Sequence, residues 1–115
     1  MKKLIRGFKF AFQGVWYAAQ TQLNFRVHLV ALLTAVTLGF YLHITSTEWC
    51  WIVICIALVL TMELLNTAIE ILTDLVSPEY NIKAGHIKDV SAAAVLLTAI
   101  GAAIIGAIIF IPKLF

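Results

Sequence analysis

The sequence predicts an all-α membrane protein, with an amphipathic surface helix at the amino terminus and three transmembrane helices after it. Three observations predict it: the composition, the division of the apolar residues into three blocks, and the placement of the charges. The chain has 115 residues, of which 63% are hydrophobic and 12% charged, and its mean hydropathy is +1.01. An ordinary globular domain is roughly 45–50% apolar and about 25% charged. Too little polar material remains to clothe a water-soluble core. Length and composition together exclude a secreted disulfide scaffold, a disordered tail, a dinucleotide-binding enzyme of the Rossmann type and a multidomain machine. The formal charge of +2 is small; the positions of the charges carry the information.

Residues 1–22 form the surface helix. On a 3.6-residue repeat Leu4, Ile5, Phe8, Ala11, Phe12, Val15 and Trp16 fall on one side, with Lys2, Arg6, Lys9 and Gln13 opposite. Phe10 and Tyr17 project on the polar side beside Arg6, an arrangement that suits a nucleobase or a partner helix equally. The first span, 27–46, is apolar from Leu29 to Leu42 and extends to Ile44 across His43, with Arg26 and His28 at its mouth. The second, 49–75, is uncharged from Trp49 to Met62, after which Glu63, Glu70 and Asp74 interrupt it. A connection over 76–88 follows. The third span, 90–111, has 22 uncharged residues ended by Pro112, enough at ~1.5 Å per residue to cross a ~30 Å hydrocarbon core.

Lys2, Lys3, Arg6, Lys9 and Arg26 precede the first span, and Lys83 and Lys88 lie between the second and third. The turn at Ser46, Thr47 and Glu48 has neither Lys nor Arg. The amino terminus and the second connection are therefore predicted to be cytoplasmic. No small-residue cleavage site follows a compact apolar core, so the basic opening reads as part of the mature chain.

The most informative stretch runs from Glu63 to Asp74. Relative to Glu63, Asn66 lies at about −60°, Glu70 at about −20° and Asp74 at about +20° around the helix. All four share one narrow stripe. A charge at membrane depth costs roughly 2.5–3.5 kcal/mol on insertion scales, and intramembrane acids are functional candidates by default. Three acids in a row also repel one another unless a cation or strong donors occupy the stripe. A polar seam between helices and an ion pathway are the alternatives to a reaction site.

Such a row suits two tasks. Its cytoplasmic part offers oxygen ligands to Mg²⁺, which prefers one or two carboxylates, waters and substrate phosphates. Its deepest acid, Glu63, is about 21 Å of helical rise from Trp49; stripped of water there, it is disposed to take a proton from an alcohol. Together these describe phosphoryl transfer at a membrane surface, which also needs positive charge on the phosphates. Lys88, beside Asp89, and Arg6 and Lys9 lie on the same predicted side. No Gly-x-x-x-x-Gly-Lys-Ser/Thr sequence or protein-kinase loop occurs. Any nucleotide is then held by Mg²⁺ and scattered side chains. Cys50 and Cys55 read as apolar filler, and His28, His43 and His86 as solvated. Trp49, Trp51 and Tyr41 form an outer aromatic belt, while Ala99, Ala102, Ala103 and Gly106 offer a face for close helix packing.

The run Glu63-x-x-Asn66-Thr67-Ala68-Ile69-Glu70-x-x-x-Asp74, then Ser77-Pro78-Glu79-Tyr80, then Gly85-x-x-Lys88-Asp89 with Ala92-Ala93-Ala94-Val95, resembles the prokaryotic diacylglycerol kinase family. The segment Asn24-Phe25-Arg26-Val27-His28 resembles its undecaprenol kinase branch. The resemblance implies a homotrimeric bundle in the bacterial inner membrane, and transfer of the γ-phosphate of Mg-ATP to a membrane lipid alcohol. It implies Glu63 as catalytic base with Asn66 beside it, Glu70 as metal ligand, and Asp74, Lys88, Asp89, Arg6 and Phe10 at the nucleotide. Gln22 stands where family members often carry a second metal-binding glutamate, and its amide oxygen ligates without charge. The partners expected are ATP, diacylglycerol or undecaprenol, and further copies of the chain; nucleic acid is not among them. Two other functions fit the residues alone: a small cation-coupled transporter, and a non-catalytic assembly partner in the membrane.

Overall fold

The computed structural model describes residues 1–115 and contains four helices and no strand: α1 (Lys2–Thr21), α2 (Leu23–Tyr41), α3 (Ser46–Val76) and α4 (Ile82–Leu114). The last three, of 19, 31 and 33 residues, are each long and apolar enough to cross a membrane. At ~1.5 Å per residue α3 and α4 exceed a ~30 Å hydrocarbon core by several turns. Their ends therefore reach beyond it.

Each break in the chain has a local cause. Gln22 is extended (φ −113, ψ 112) and separates α1 from α2. Arg26 reaches back over this corner and donates from Nη1 to the carbonyls of Gln20 at 3.1 Å and Ala19 at 3.4 Å. The last carbonyls of α1 thus gain a cationic donor, the favoured sign at a helix carboxyl end. Along α1 only Ala18 is buried.

The helix of the first span stops at Tyr41, short of the expected continuation to Ile44. His43 takes a left-handed backbone (φ 51), and the Ile44 N–H returns to the Gly39 carbonyl at 3.2 Å. That reversal swings Ile44 into the core instead of along the helix. Thr45 then opens α3 with a reciprocal cap: the Glu48 N–H donates to Thr45 Oγ1 (3.2 Å), and the Thr45 N–H donates to Glu48 Oε1 (2.9 Å). The second oxygen of Glu48 accepts from Lys113 Nζ at 2.7 Å, which ties the amino-terminal end of α3 to the carboxyl-terminal end of α4. At the other end Asn81 caps α4 through Oδ1, accepting from Lys83 and Ala84. Pro112, expected to end the third span, lies inside α4. Within the last turn it forfeits only one backbone bond, and Phe115 still donates to Ile111 at 3.1 Å.

Ile44, Ile52, Ile109 and Phe110 form the buried cluster at this end of the bundle, with Leu38 and Trp49 packed against it. Elsewhere the helices are covered with apolar side chains facing outward, among them Val30, Leu33, Val53, Leu97 and Ile108. This is the surface that acyl chains or neighbouring membrane helices cover. Trp49 folds inward over α2, with its ring centroid 4.8 Å from that of Phe40. A Cβ on Gly39 would lie 2.6 Å from Trp49 Cη2. Gly39→Ala should therefore lower stability by about 1–3 kcal/mol, the usual cost of overpacking. Reversible unfolding in detergent micelles measures this, and adding Trp49→Leu should recover most of the loss.

Candidate active site

The 3-4-4 spacing from Glu63 to Asp74 puts Asn66 and the three acids on one face of α3, and each acid there has a different partner. Glu63 is 1% exposed, and its Oε1 lies 3.1 Å from Nε2 of His28 on α2. The two atoms are close but poorly aligned, so Oε1 is buried without a hydrogen bond. An unmade bond on a buried carboxylate is costly in a structural residue and is a familiar feature of reaction sites.

Asn66 is fixed at both ends of its amide. Its Oδ1 accepts from Ser91 Oγ on α4 at 2.7 Å, and its Nδ2 donates to Glu70 Oε1 at 3.3 Å. One turn further, exposed Asp74 pairs with Lys88 Nζ of α4 at 2.5 Å. The hydrogen bond that Lys88 donates to Asp74 raises the Lys88 pKa above its ordinary value, with the charges of Asp74 and Glu70 adding to it against desolvation. Stability from this contact is thus fully present below the ordinary lysine range. It is lost only as the pH rises through the raised value.

The structure brings Glu63, Asn66, Glu70, Asp74 and Lys88 into one ladder between α3 and α4. The other expected residues stand apart from it. Asp89 is exposed and makes no ion pair; one residue from Lys88, it is turned about 100° around α4. Arg6 and Phe10 are exposed on α1, Phe10 by 60%. Gln22 lies at the α1–α2 corner, where its Nε2 donates to Thr21 Oγ1 at 3.4 Å. No group of three His, Cys, Asp or Glu side chains forms a metal cage. Half-buried Glu70, with one oxygen steadied by Asn66, instead suits a Mg²⁺ ion that keeps waters and shares phosphate ligands.

Two residues of the ladder escaped sequence reasoning. His28 was expected to be solvated and instead touches Glu63 from 35 positions away; an imidazole at the very mouth of the apolar run was the available signal. Ser91, the first hydroxyl of the third span, is buried against Asn66. Beside His28, α2, α3 and α4 line a half-open cavity of about 330 Å³ whose lining is hydrophobic at 13 of 15 residues. Ala99, Ala102, Ala103 and Gly106 face this cavity within the protomer and do not close against a neighbouring helix. The arrangement sets an apolar chamber on one side of a buried carboxylate and a polar, charged exit on the other.

A family model described as prokaryotic diacylglycerol kinase matches residues 9–110. The match takes in the whole ladder and leaves out Arg6. The chain is 36% identical over 114 residues to the undecaprenol kinase of Bacillus subtilis (strain 168), covering 99% of this chain and 93% of that protein. It is 39% identical over 112 residues to a diacylglycerol kinase of Synechocystis, covering 96% of this chain and 64% of that longer one. The diacylglycerol kinase of Escherichia coli (strain K12) is 31% identical over 102 residues, with 89% and 84% covered.

Removal of the Ser91 hydroxyl leaves a buried amide oxygen without its donor. Ser91→Ala should cost about 1–3 kcal/mol in reversible unfolding. The cost should shrink when Asn66→Leu is already present, because the oxygen is then gone.

Proposed function

We propose, from the premise that the chain belongs to the prokaryotic diacylglycerol kinase family and is a membrane lipid kinase, that it moves the γ-phosphoryl group of ATP, with Mg²⁺, onto the hydroxyl of undecaprenol or diacylglycerol at the cytoplasmic face of the bacterial inner membrane. One observation carries this reading: buried Glu63 touches His28, which lines the apolar cavity, and heads the ladder of Asn66, Glu70, Asp74 and Lys88. A lipid alcohol and a charged nucleotide need opposite surroundings. This place supplies both within one helical face.

In this reading the lipid chain occupies apolar surface of the bundle and presents its hydroxyl to Glu63, which takes the proton as the oxygen attacks phosphorus. Asn66, held by Ser91 and Glu70, keeps the polar side of the site in a fixed orientation. Glu70 would hold Mg²⁺, with Gln22 offering a second, uncharged oxygen from the α1–α2 corner, and the ion would supply positive charge against the phosphates. Lys88 leaves Asp74 to meet the phosphates, and Asp74 otherwise keeps its ammonium in place. Asp89, Arg6 and Phe10 are assigned to the nucleotide, Phe10 as a stacking surface for the base. They stand clear of the ladder in one protomer, which supports an assembly in which neighbouring copies complete the site, a homotrimer in our reading. Helix α1 lies on the cytoplasmic membrane surface with its apolar side in the headgroup boundary. The near full-length correspondence with an undecaprenol kinase favours undecaprenol as the first acceptor to try.

The test is transfer of label from γ-labelled ATP to lipid in mixed micelles containing either alcohol. Wild-type protein should label at least one of them in a Mg²⁺-dependent manner. Glu63→Gln should lower the rate by about 10²–10⁴-fold, the usual contribution of a positioned base. Undiminished labelling by Glu63→Gln would remove the base assignment, and wild-type protein that labels neither lipid would contradict the activity.

A further inference from the structure

We propose that His28 is a proton-relay residue: it carries away the proton that Glu63 collects in each turnover and delivers it towards water. The inference rests on the lipid-kinase reading above and extends it to the step that resets the base. In the reaction the acceptor O–H bond breaks, an O–P bond forms and the bond to the leaving diphosphate breaks. One proton is left over, and it resides on Glu63. The next turnover requires its departure.

Glu63 has no route of its own, since the residue is 1% exposed. The groups facing it can be taken element by element. On α3 the Asn66 amide does not titrate and is already bonded at both ends, and Glu70, the next carboxylate, accepts from that amide. Helix α4 presents uncharged Ser91, and its Lys88 is engaged by Asp74. Helix α1 makes no ion pair with the stripe, and Arg26 of α2 is turned onto the carbonyls of Ala19 and Gln20. His28 remains. Its Nε2 lies 3.1 Å from Glu63 Oε1, and its side chain is 22% exposed where that of Glu63 is 2%.

An imidazole suits the task because its two nitrogens are distinct, so that one can take up a proton while the other gives one up. One nitrogen accepts from the Glu63 O–H while the other, at the mouth of the first span two residues from Arg26, hands a proton on towards the interface. The short but misaligned contact in the resting arrangement also fits a transient donor. A small ring rotation completes the bond only when Glu63 carries a proton. A permanent bond there would compete with the acceptor hydroxyl for the same oxygen.

The experiment compares wild type, His28→Gln and His28→Ala in the micelle assay, in a non-nucleophilic buffer with added imidazole or pyrazole at fixed pH and ionic strength. The relay predicts that kcat falls about 10–100-fold in both variants while the KM for lipid stays within about twofold. Imidazole should restore kcat at least about tenfold in His28→Ala. Pyrazole, of the same shape but scarcely basic, should restore none. In His28→Gln, which keeps size and polarity, kcat should rise with imidazole concentration, whereas wild type should not respond. Full kcat in His28→Gln overturns the relay, as does equal rescue by both heterocycles, which would mean only that a hole had been filled. A failure of His28→Ala to assemble leaves the decision to His28→Gln, whose indifference to imidazole would equally overturn it. Wild-type protein silent towards both lipids refutes the underlying kinase reading, a result distinct from all of these.

Discussion

A carboxylate inside an apolar helix must be answered locally, and the organisation of this protein follows from how three of them are answered in succession. Water does the work at the exposed end, where Asp74 also has Lys88. Midway an amide does it, with Asn66 offering its N–H to Glu70. At the deepest position neither is available, and His28 from another helix stands beside Glu63. The partners come from α2, α3 and α4 in turn, so the stripe dictates which helices must lie together. Replacing one acid by leucine would remove a cost of burial and with it the gradient from dry to wet along α3.

That gradient is what a lipid kinase of this size has to work with. A soluble phosphotransferase surrounds phosphate with a glycine-rich backbone loop, and this chain has none. Its three long apolar helices instead offer one helical face whose character changes along its length. Both of these ties, the Thr45–Glu48 cap and the Glu48–Lys113 contact, lie at the opposite end of the bundle from Asp74 and Lys88. The end at the ladder is packed largely through polar side chains, Glu63, Asn66, Thr67, Thr73 and Ser91, where the opposite end is packed through apolar ones.

Much of this was legible in the residues. Helix type and number followed from uninterrupted apolar runs, which in lipid leave the backbone little alternative to helix. The stripe followed from spacing alone, because i, i+3, i+7 and i+11 return to one side of a 3.6-residue helix. Partnerships across helices were a different matter. Nothing in a one-dimensional pattern pairs His28 with Glu63 or Ser91 with Asn66, since those contacts depend on rotation and depth set by packing. Helix ends were blurred for a related reason: Ile44 is as apolar as its neighbours, and only the left-handed backbone at His43 shows that the helix has ended. Pro112 misled in the other direction, because a proline in a final turn removes a bond that the helix can spare. The small residues of the third span announced a close approach, yet within one protomer they line a cavity.

The central claim is a division of labour along α3, with Glu70 at the metal and Glu63 at the proton. Electron paramagnetic resonance of Mn²⁺, used in place of Mg²⁺ with a non-hydrolysable ATP analogue, separates the two directly. The division predicts that Glu63→Gln binds the Mn²⁺ nucleotide as wild type does, while Glu70→Gln loses the protein-bound signal. A bound signal that survives in Glu70→Gln and vanishes in Glu63→Gln would contradict it.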